Sequence, residues 1–382
     1  MSKSAHIAMR LPAVSPLESV ALPLAAAVVS VGVLIARAPD VFVPQFWAED
    51  SFFWSDAYLD GSSALFRPYA GYILVAPRLI AALSTLWHPI WAPTVFVVIT
   101  ICVTAWCAFT AAASRLPRWL GFTLGASLLF APQETGDIFG YAVNLQWVAS
   151  PVLAVIAATA PPDSRCSRVN QTLFASIAAF TGPFAVFLAP QFIVRLVRYR
   201  DLASAMALLG GVAQFAVMLS TAKPFPPVGD SDWLHLIAAF AQQLAPGPIP
   251  ALAVILLVCL SVFITDGRRL RLGLLLLAAC VCVGTMLRFG QQPLAFDTPG
   301  QAGRYIFVPH AVLIWCAVSL AFTHNRARWV AGVAIAALLL AFPLALYQRA
   351  APPDKQWKSY ASEIGARPVE IPTLPDWTLR IP

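Results

Sequence analysis

The sequence predicts an all-α protein, a polytopic bundle of helices packed in a lipid bilayer. Of its 382 residues 59% are hydrophobic and only 11% charged, and its mean hydropathy is +0.74, well away from a water-soluble domain. Apolar runs such as Val95 to Ala113 and Ala251 to Ile264 are continuous rather than alternating, which points to helices and away from a closed barrel. The basic residues behind the net charge of +7 sit at the ends of apolar runs and form no stripe. They orient helices in a membrane and give no footing for a nucleic-acid partner.

Taken in order, the apolar runs predict about eleven transmembrane helices, near 19–37, 92–113, 119–131, 147–160, 171–182, 184–197, 202–221, 249–265, 272–287, 305–322 and 329–347. Lys3 and Arg10 precede the first, and Arg37-Ala38-Pro39 ends it without a small-residue cleavage site, so it reads as a retained span rather than a signal peptide. Several runs are short for a bilayer and have to be shielded by neighbours, with Gly182-Pro183 turning between two of them.

With the N-terminus cytoplasmic, alternation puts Arg115 and Arg118, Arg165 and Arg168, Arg195, Arg198 and Arg200, Arg268, Arg269 and Arg271, and Arg326 and Arg328 inside. Every inner loop is then basic, as the positive-inside rule requires. Most acids fall outside, among them Glu49, Asp50, Asp56, Asp60, Glu134, Asp137, Asp230, Asp232 and Asp297, while Asp163, Asp201 and Asp266 are inner exceptions beside arginines. The stretch Gly71 to Trp87 has no crossing left to it. It reads as an interfacial helix in the first outer loop (38–91), with Arg78 facing water or a cavity and Trp87 and Trp91 at the boundary. Residues 1–348 form the membrane domain, and 349–382 a short, polar, extended tail on the outer side. This is the topology of a multi-pass membrane protein with the N-terminus cytoplasmic and the C-terminus on the outer side.

Candidate chemistry gathers in the outer loops. Adjacent Glu49 and Asp50, set among Phe46, Trp47, Phe52, Phe53 and Trp54, fit a general base, since burial and like charge raise a carboxyl pKa. The pair equally fits oxygen ligands for a divalent cation such as Mg or Mn, or a solvated helix N-terminus. A second loop, 132–147, supplies Glu134, Asp137, Asn144, Gln146 and Trp147, suited to carbohydrate hydroxyls or to capping. Arg288, Asp297, Arg304 and Tyr305 make a third group, with Arg67, Arg78 and Tyr69 facing the same way. Their arginines fit a lipid phosphate, or headgroups reached by snorkelling. Cys102, Cys107, Cys259, Cys280, Cys282 and Cys316 lie in apolar segments and Cys166 in a short loop, so they read as small hydrophobes. The five histidines are dispersed, and no Walker loop, dinucleotide fingerprint, HExxH or CxxC occurs.

The order of a first span, an outer loop with an acidic pair, an interfacial helix and short paired spans resembles the GT-C superfamily of membrane glycosyltransferases. The words that carry it are Ala48-Glu49-Asp50, Pro68-Tyr69-Ala70-Gly71-Tyr72 with Pro77-Arg78-Leu79, Asn144-Leu145-Gln146-Trp147, Thr181-Gly182-Pro183-Phe184 and Gly303-Arg304-Tyr305. The resemblance implies an inverting transferase that moves a sugar from a polyprenyl-phosphate donor to an envelope glycan or lipid acceptor on the periplasmic side. It implies Glu49 or Asp50 as the catalytic acid that orients or deprotonates the acceptor hydroxyl, Arg288 or Arg304 on the donor phosphate, and Trp147 as a sugar platform. The chain departs from better-known members in carrying only the tail Arg349 to Pro382 where they have a large soluble C-terminal domain. Two alternatives stay open. A flippase or transporter of lipid-linked saccharide would place ionisable groups near mid-bilayer and show repeated halves. A polysaccharide polymerase or ligase would need a large late outer loop, whereas Leu287 to Arg304 is short.

Overall fold

A computed structural model describes residues 16–132, 138–221, 233–289, 303–323, 327–348 and 351–382. These residues are mostly helical, with one small sheet at the C-terminal end. Five helices are long and apolar enough to cross a membrane: Val20–Arg37, Pro89–Ala112, Leu202–Thr221, Arg268–Phe289 and Gly303–Thr323. A sixth forms if Trp233–Leu244 and Pro248–Phe263 count as one span, broken by an 87° bend. The other expected runs are shorter helices. The apolar stretch at 119–131 is helical only over Arg118–Ala126, and that at 184–197 splits into Phe184–Phe187 and Ala189–Tyr199.

In chain order the elements used below are α1 (Pro16–Arg37), α2 (Ala48–Asp60), α3 (Val75–Ser84), α4 (Ala92–Ala112), α5 (Arg118–Ala126), α6 (Leu145–Ala158), α7 (Arg165–Ala179), α8 (Phe184–Phe187), α9 (Ala189–Tyr199), α10 (Leu202–Thr221), α11 (Trp233–Leu244), α12 (Pro248–Phe263), α13 (Arg268–Phe289), α14 (Gly303–Thr323), α15 (Ala327–Leu340) and α16 (Trp357–Ala361). At the centre is α6, all of whose residues are buried, packed against α4, α7, α13 and α14. Its short length is tolerable because protein, rather than lipid, surrounds it. Close packing elsewhere relies on missing side chains. A Cβ on Gly125 would lie 2.4 Å from the Ala108 carbonyl of α4, so α5 approaches α4 only through glycine.

Buried arginines tie the helix ends together. Arg37, closing α1, donates to the carbonyls of Leu129, Ala131 (2.7 Å) and Tyr347 (2.9 Å). At the opposite end, Arg195 bonds the Ile156 carbonyl, Gln171 and Asp201, and Arg271 bonds the Ile264 carbonyl (2.6 Å) and Thr323. These last two are among the residues read as orientation signals, yet both are fully buried and satisfy helix-terminal carbonyls that otherwise lack partners.

The stretch after the first span folds into α2, a 3₁₀ turn and α3. Of the stretch read as an interfacial helix, Val75–Ser84 is helical as α3, but Arg78 does not face water or a cavity. It is buried, donates to Asp56 (2.9 Å) and to the Arg67 carbonyl (3.1 Å), and lies over the Phe53 ring. Here a charge deduced to be solvated pairs with an acid 22 residues earlier.

The tail is folded rather than extended. After α16, strands β1 (Val369–Thr373) and β2 (Trp377–Ile381) pair antiparallel, with Val369, Ile371, Leu379 and Ile381 buried. The unit docks on α2: Leu374 N–H donates to the Phe46 carbonyl (3.1 Å), and Trp357 sits edge-on against Phe46 and Trp54 with its indole N–H on the Pro89 carbonyl. Trp357→Ala is expected to cost about 3–5 kcal/mol and to free the tail, seen as a lower melting temperature and faster proteolysis after residue 350. Unchanged melting and proteolysis would contradict the docking.

Candidate functional site

Adjacent residues on a helix diverge by about 100°, and this separates the acidic pair. Asp50 turns into the protein, where its carboxylate accepts the backbone N–H groups of Ala142 (2.9 Å) and Val143 (2.8 Å). Those amides open the 3₁₀ turn Ala142–Asn144 that leads into α6. Burial pushes the Asp50 carboxyl up to about 7, with the two N–H bonds opposing and the charge of Glu49 adding to the rise. Glu49 turns the other way. Its Oε1 is 3.8 Å from Arg304 at the start of α14, its side chain is 13% exposed, and its buried Oε2 has no hydrogen-bond partner among the described residues.

Around Glu49 stand two tyrosines held by a tight turn. Tyr69 and Tyr72 exchange backbone hydrogen bonds across Ala70 and Gly71, both at positive φ. Behind the turn, Ile73 N–H and C=O are both bonded by the Gln214 side chain of α10, and Val75 N–H donates to the Phe180 carbonyl. Burial, then the charge of Glu49, pushes the Tyr69 phenol up to about 12, so it is a neutral donor beside a carboxylate. The Tyr72 phenol is also raised, first by burial, while a hydrogen bond with Gln146 and the charges of Arg304 and Arg288 pull it back. Gln146, buried in the first turn of α6, lies where a side chain at residue 182 would be: a Cβ there would fall 2.1 Å from its Oε1. With φ at +88° as well, residue 182 has to be glycine.

Tyr305 completes the wall, its ring edge-on to Trp147 (5.2 Å) and Phe289 (5.0 Å), with the Arg304 guanidinium 5.5 Å from its centroid. Of the residues singled out in sequence, Glu49, Tyr69, Arg304 and Tyr305 come together, with exposed Arg288 at the last turn of α13. Trp147 is buried behind Tyr305 against Phe184. Asn144 is buried in the 3₁₀ turn. Arg78 and Asp50 serve the frame around the site. Asp137 lies outside the described residues, as do Glu134, Asp230, Asp232 and Asp297. Tyr72 and Asp56 were not singled out as site residues; the signal for Tyr72 was its place in the Pro68–Tyr72 word.

The two carboxylates do not point into one shared site, since Asp50 faces the amides of Ala142 and Val143 and Glu49 faces Arg304. Both oxygens of Asp50 already accept N–H groups, and no three His, Cys, Asp or Glu side chains converge among the described residues. What remains is one carboxylate with an unused oxygen, a neutral phenol and a guanidinium, an arrangement able to take a proton and to hold an anion. Compared with protein-family models, curated proteins and solved structures, the chain matches none.

The folded protein holds the Asp50 proton more tightly than the unfolded chain, whose carboxyl has the ordinary value of 3.8. Its contribution to stability is therefore fully present below about pH 4 and is lost as pH rises to about 7. Infrared difference spectra should show a protonated carboxyl band that disappears with a midpoint near 7 and is missing in Asp50→Asn. A midpoint below the ordinary value of 3.8 would mean that the two N–H bonds outweigh burial.

Proposed function

We propose that this chain is an inverting membrane glycosyltransferase of GT-C type, taking a sugar from a polyprenyl-phosphate donor to an envelope glycan or lipid acceptor. The observation that carries this is the approach of Glu49 to Arg304, which sets a carboxylate with an unused oxygen beside a cation at one end of the bundle. Glu49 accepts the proton of the acceptor hydroxyl as that oxygen attacks the anomeric carbon. The bond from that carbon to the phosphate oxygen breaks, its electron pair leaves with the phosphate, and Arg304, with Arg288 nearby, holds the developing charge. Tyr69 and Tyr72 offer neutral donors to sugar or phosphate oxygens. Trp147 backs Tyr305 and acts on the sugar through it.

The membrane arrangement in this proposal has eleven passes, with the site and the C-terminus periplasmic and the N-terminus cytoplasmic. Two separate sets of contacts between helix ends support it. Asp50 with Ala142, Ile73 with Gln214, Glu49 with Arg304 and Arg37 with Tyr347 form one set. Arg115 with Asp163, Arg195 with Asp201 and Arg271 with Thr323 form the other, and the helices between them alternate in direction. The second set holds most of the basic loops, which supports a cytoplasmic side for it.

A second reading, a flippase for the lipid-linked saccharide, draws on the 87° break between α11 and α12, where His310 of α14 bonds the Leu244 carbonyl. Interrupted helices are a mark of transporters. Purified protein supplied with a polyprenyl-phosphate sugar decides between them. Glu49→Gln should lower sugar release by about 10²–10⁴-fold while still binding polyprenyl phosphate, and Arg304→Gln should weaken that binding. Unchanged turnover in Glu49→Gln removes the proposed base. A labelled lipid that changes leaflet with no donor consumed selects the flippase.

A further inference from the structure

The exposed strip of α2 does not end at Glu49. Residues three, seven and eleven positions on return to within about 60° of the same face, so Phe52, Asp56 and Asp60 continue it. On one side the strip is bordered by Tyr69 and by Arg67, which bonds Asp56 (2.9 Å) and Asp60 (2.7 Å). On the other stands Trp377 of the C-terminal hairpin, its ring 5.3 Å from Phe52 and 43% exposed. This tryptophan is held in place. The Leu374 N–H bond to Phe46 and the Lys355–Asp376 ion pair (2.9 Å) fix the turn that presents it, while its own strand buries Leu379 and Ile381 beneath.

We infer that Trp377 and Phe52 form a carbohydrate subsite beside Glu49, on which a pyranose ring of a glycan acceptor stacks. The inference rests on Glu49 being the transferase base and gives the acceptor its chemical class. The surface mixes aromatic rings with ion-paired carboxylates and a guanidinium, and this composition selects the occupant. Lipid tails or an apolar helix would strip water from the Asp56–Arg67–Asp60 network and return no hydrogen bonds. A sugar ring has an apolar C–H face for the indole and hydroxyls for the charged rim. The strip leads straight to Glu49, so a chain stacked on it delivers its terminal hydroxyl to the base.

The test uses full-length protein in nanodiscs, with maltotetraose, cellotetraose and chitotetraose as probes in saturation-transfer NMR, and polyprenyl phosphate binding measured in parallel. Transfer to the ring protons of at least one oligosaccharide is expected. It should fall at least fivefold in Trp377→Ala and be largely kept in Trp377→Phe, with melting temperature and polyprenyl phosphate affinity unchanged in both. No transfer from any probe, or equal transfer in Trp377→Ala, overturns the subsite. So does a fluorescence difference between wild type and Trp377→Phe that nitroxide-labelled phospholipids quench, since Trp377 would then sit in the bilayer. If polyprenyl phosphate fails to bind while Trp377-dependent transfer persists, the donor assignment fails and the subsite stands.

Discussion

The two hydrogen bonds from Ala142 and Val143 to Asp50 hold the rest of the site in place. They join α2 to the start of α6, the helix most completely surrounded by protein. Hydrogen bonds of this kind contribute about 0.5–1.5 kcal/mol each, and more while the carboxyl is ionised, and these lie where water cannot compete. With Asp50 turned inward, helical geometry leaves Glu49 no choice but to face α14 and Arg304. One residue of the pair thus supplies architecture while the other keeps an oxygen without a hydrogen-bond partner among the described residues.

The C-terminal tail meets α2 over this anchor. Trp357 fills the space between Phe46 and Trp54 on one side of α2, and the hairpin reaches round to Phe52 on the other. Asp56 joins Arg78 and Arg67 along a third side, so α2 is gripped by α3, the 3₁₀ turn before α6 and the tail. A thin cap of helices and one hairpin covers this end of the bundle, and its core is built from aromatic rings between residues 46 and 72 and in the tail.

Much of the bundle was legible in the sequence, because a helix that must cross hydrocarbon announces itself by an apolar run of about 20 residues. The long helices α1, α4, α10, α13 and α14 emerged where the hydropathy put them. The short ones were legible as apolar runs but not as helices of known length, since where α5 stops depends on its packing against α4 through Gly125. The helix α11 and the hairpin were not foreseen. The first lies next to a break that only the fold reveals, and the second comprises two five-residue strands, one of which contains Pro372. The acidic pair was recognised, yet composition says nothing about which member faces inward. Arg78 was misjudged, and the burial of Arg195 and Arg271 was not foreseen, for one reason: their partners lie on other elements, so a charge that looks solvated in sequence is satisfied at a distance.

The central claim is that Asp50 positions the frame and Glu49 stands clear of it, and hydrogen–deuterium exchange of the amides at 141–147 and 48–60 tests it most directly. In wild type both segments should exchange slowly. Asp50→Ala should release them together, whereas Glu49→Gln should leave both protected. Protection at 141–147 that survives Asp50→Ala would contradict the account.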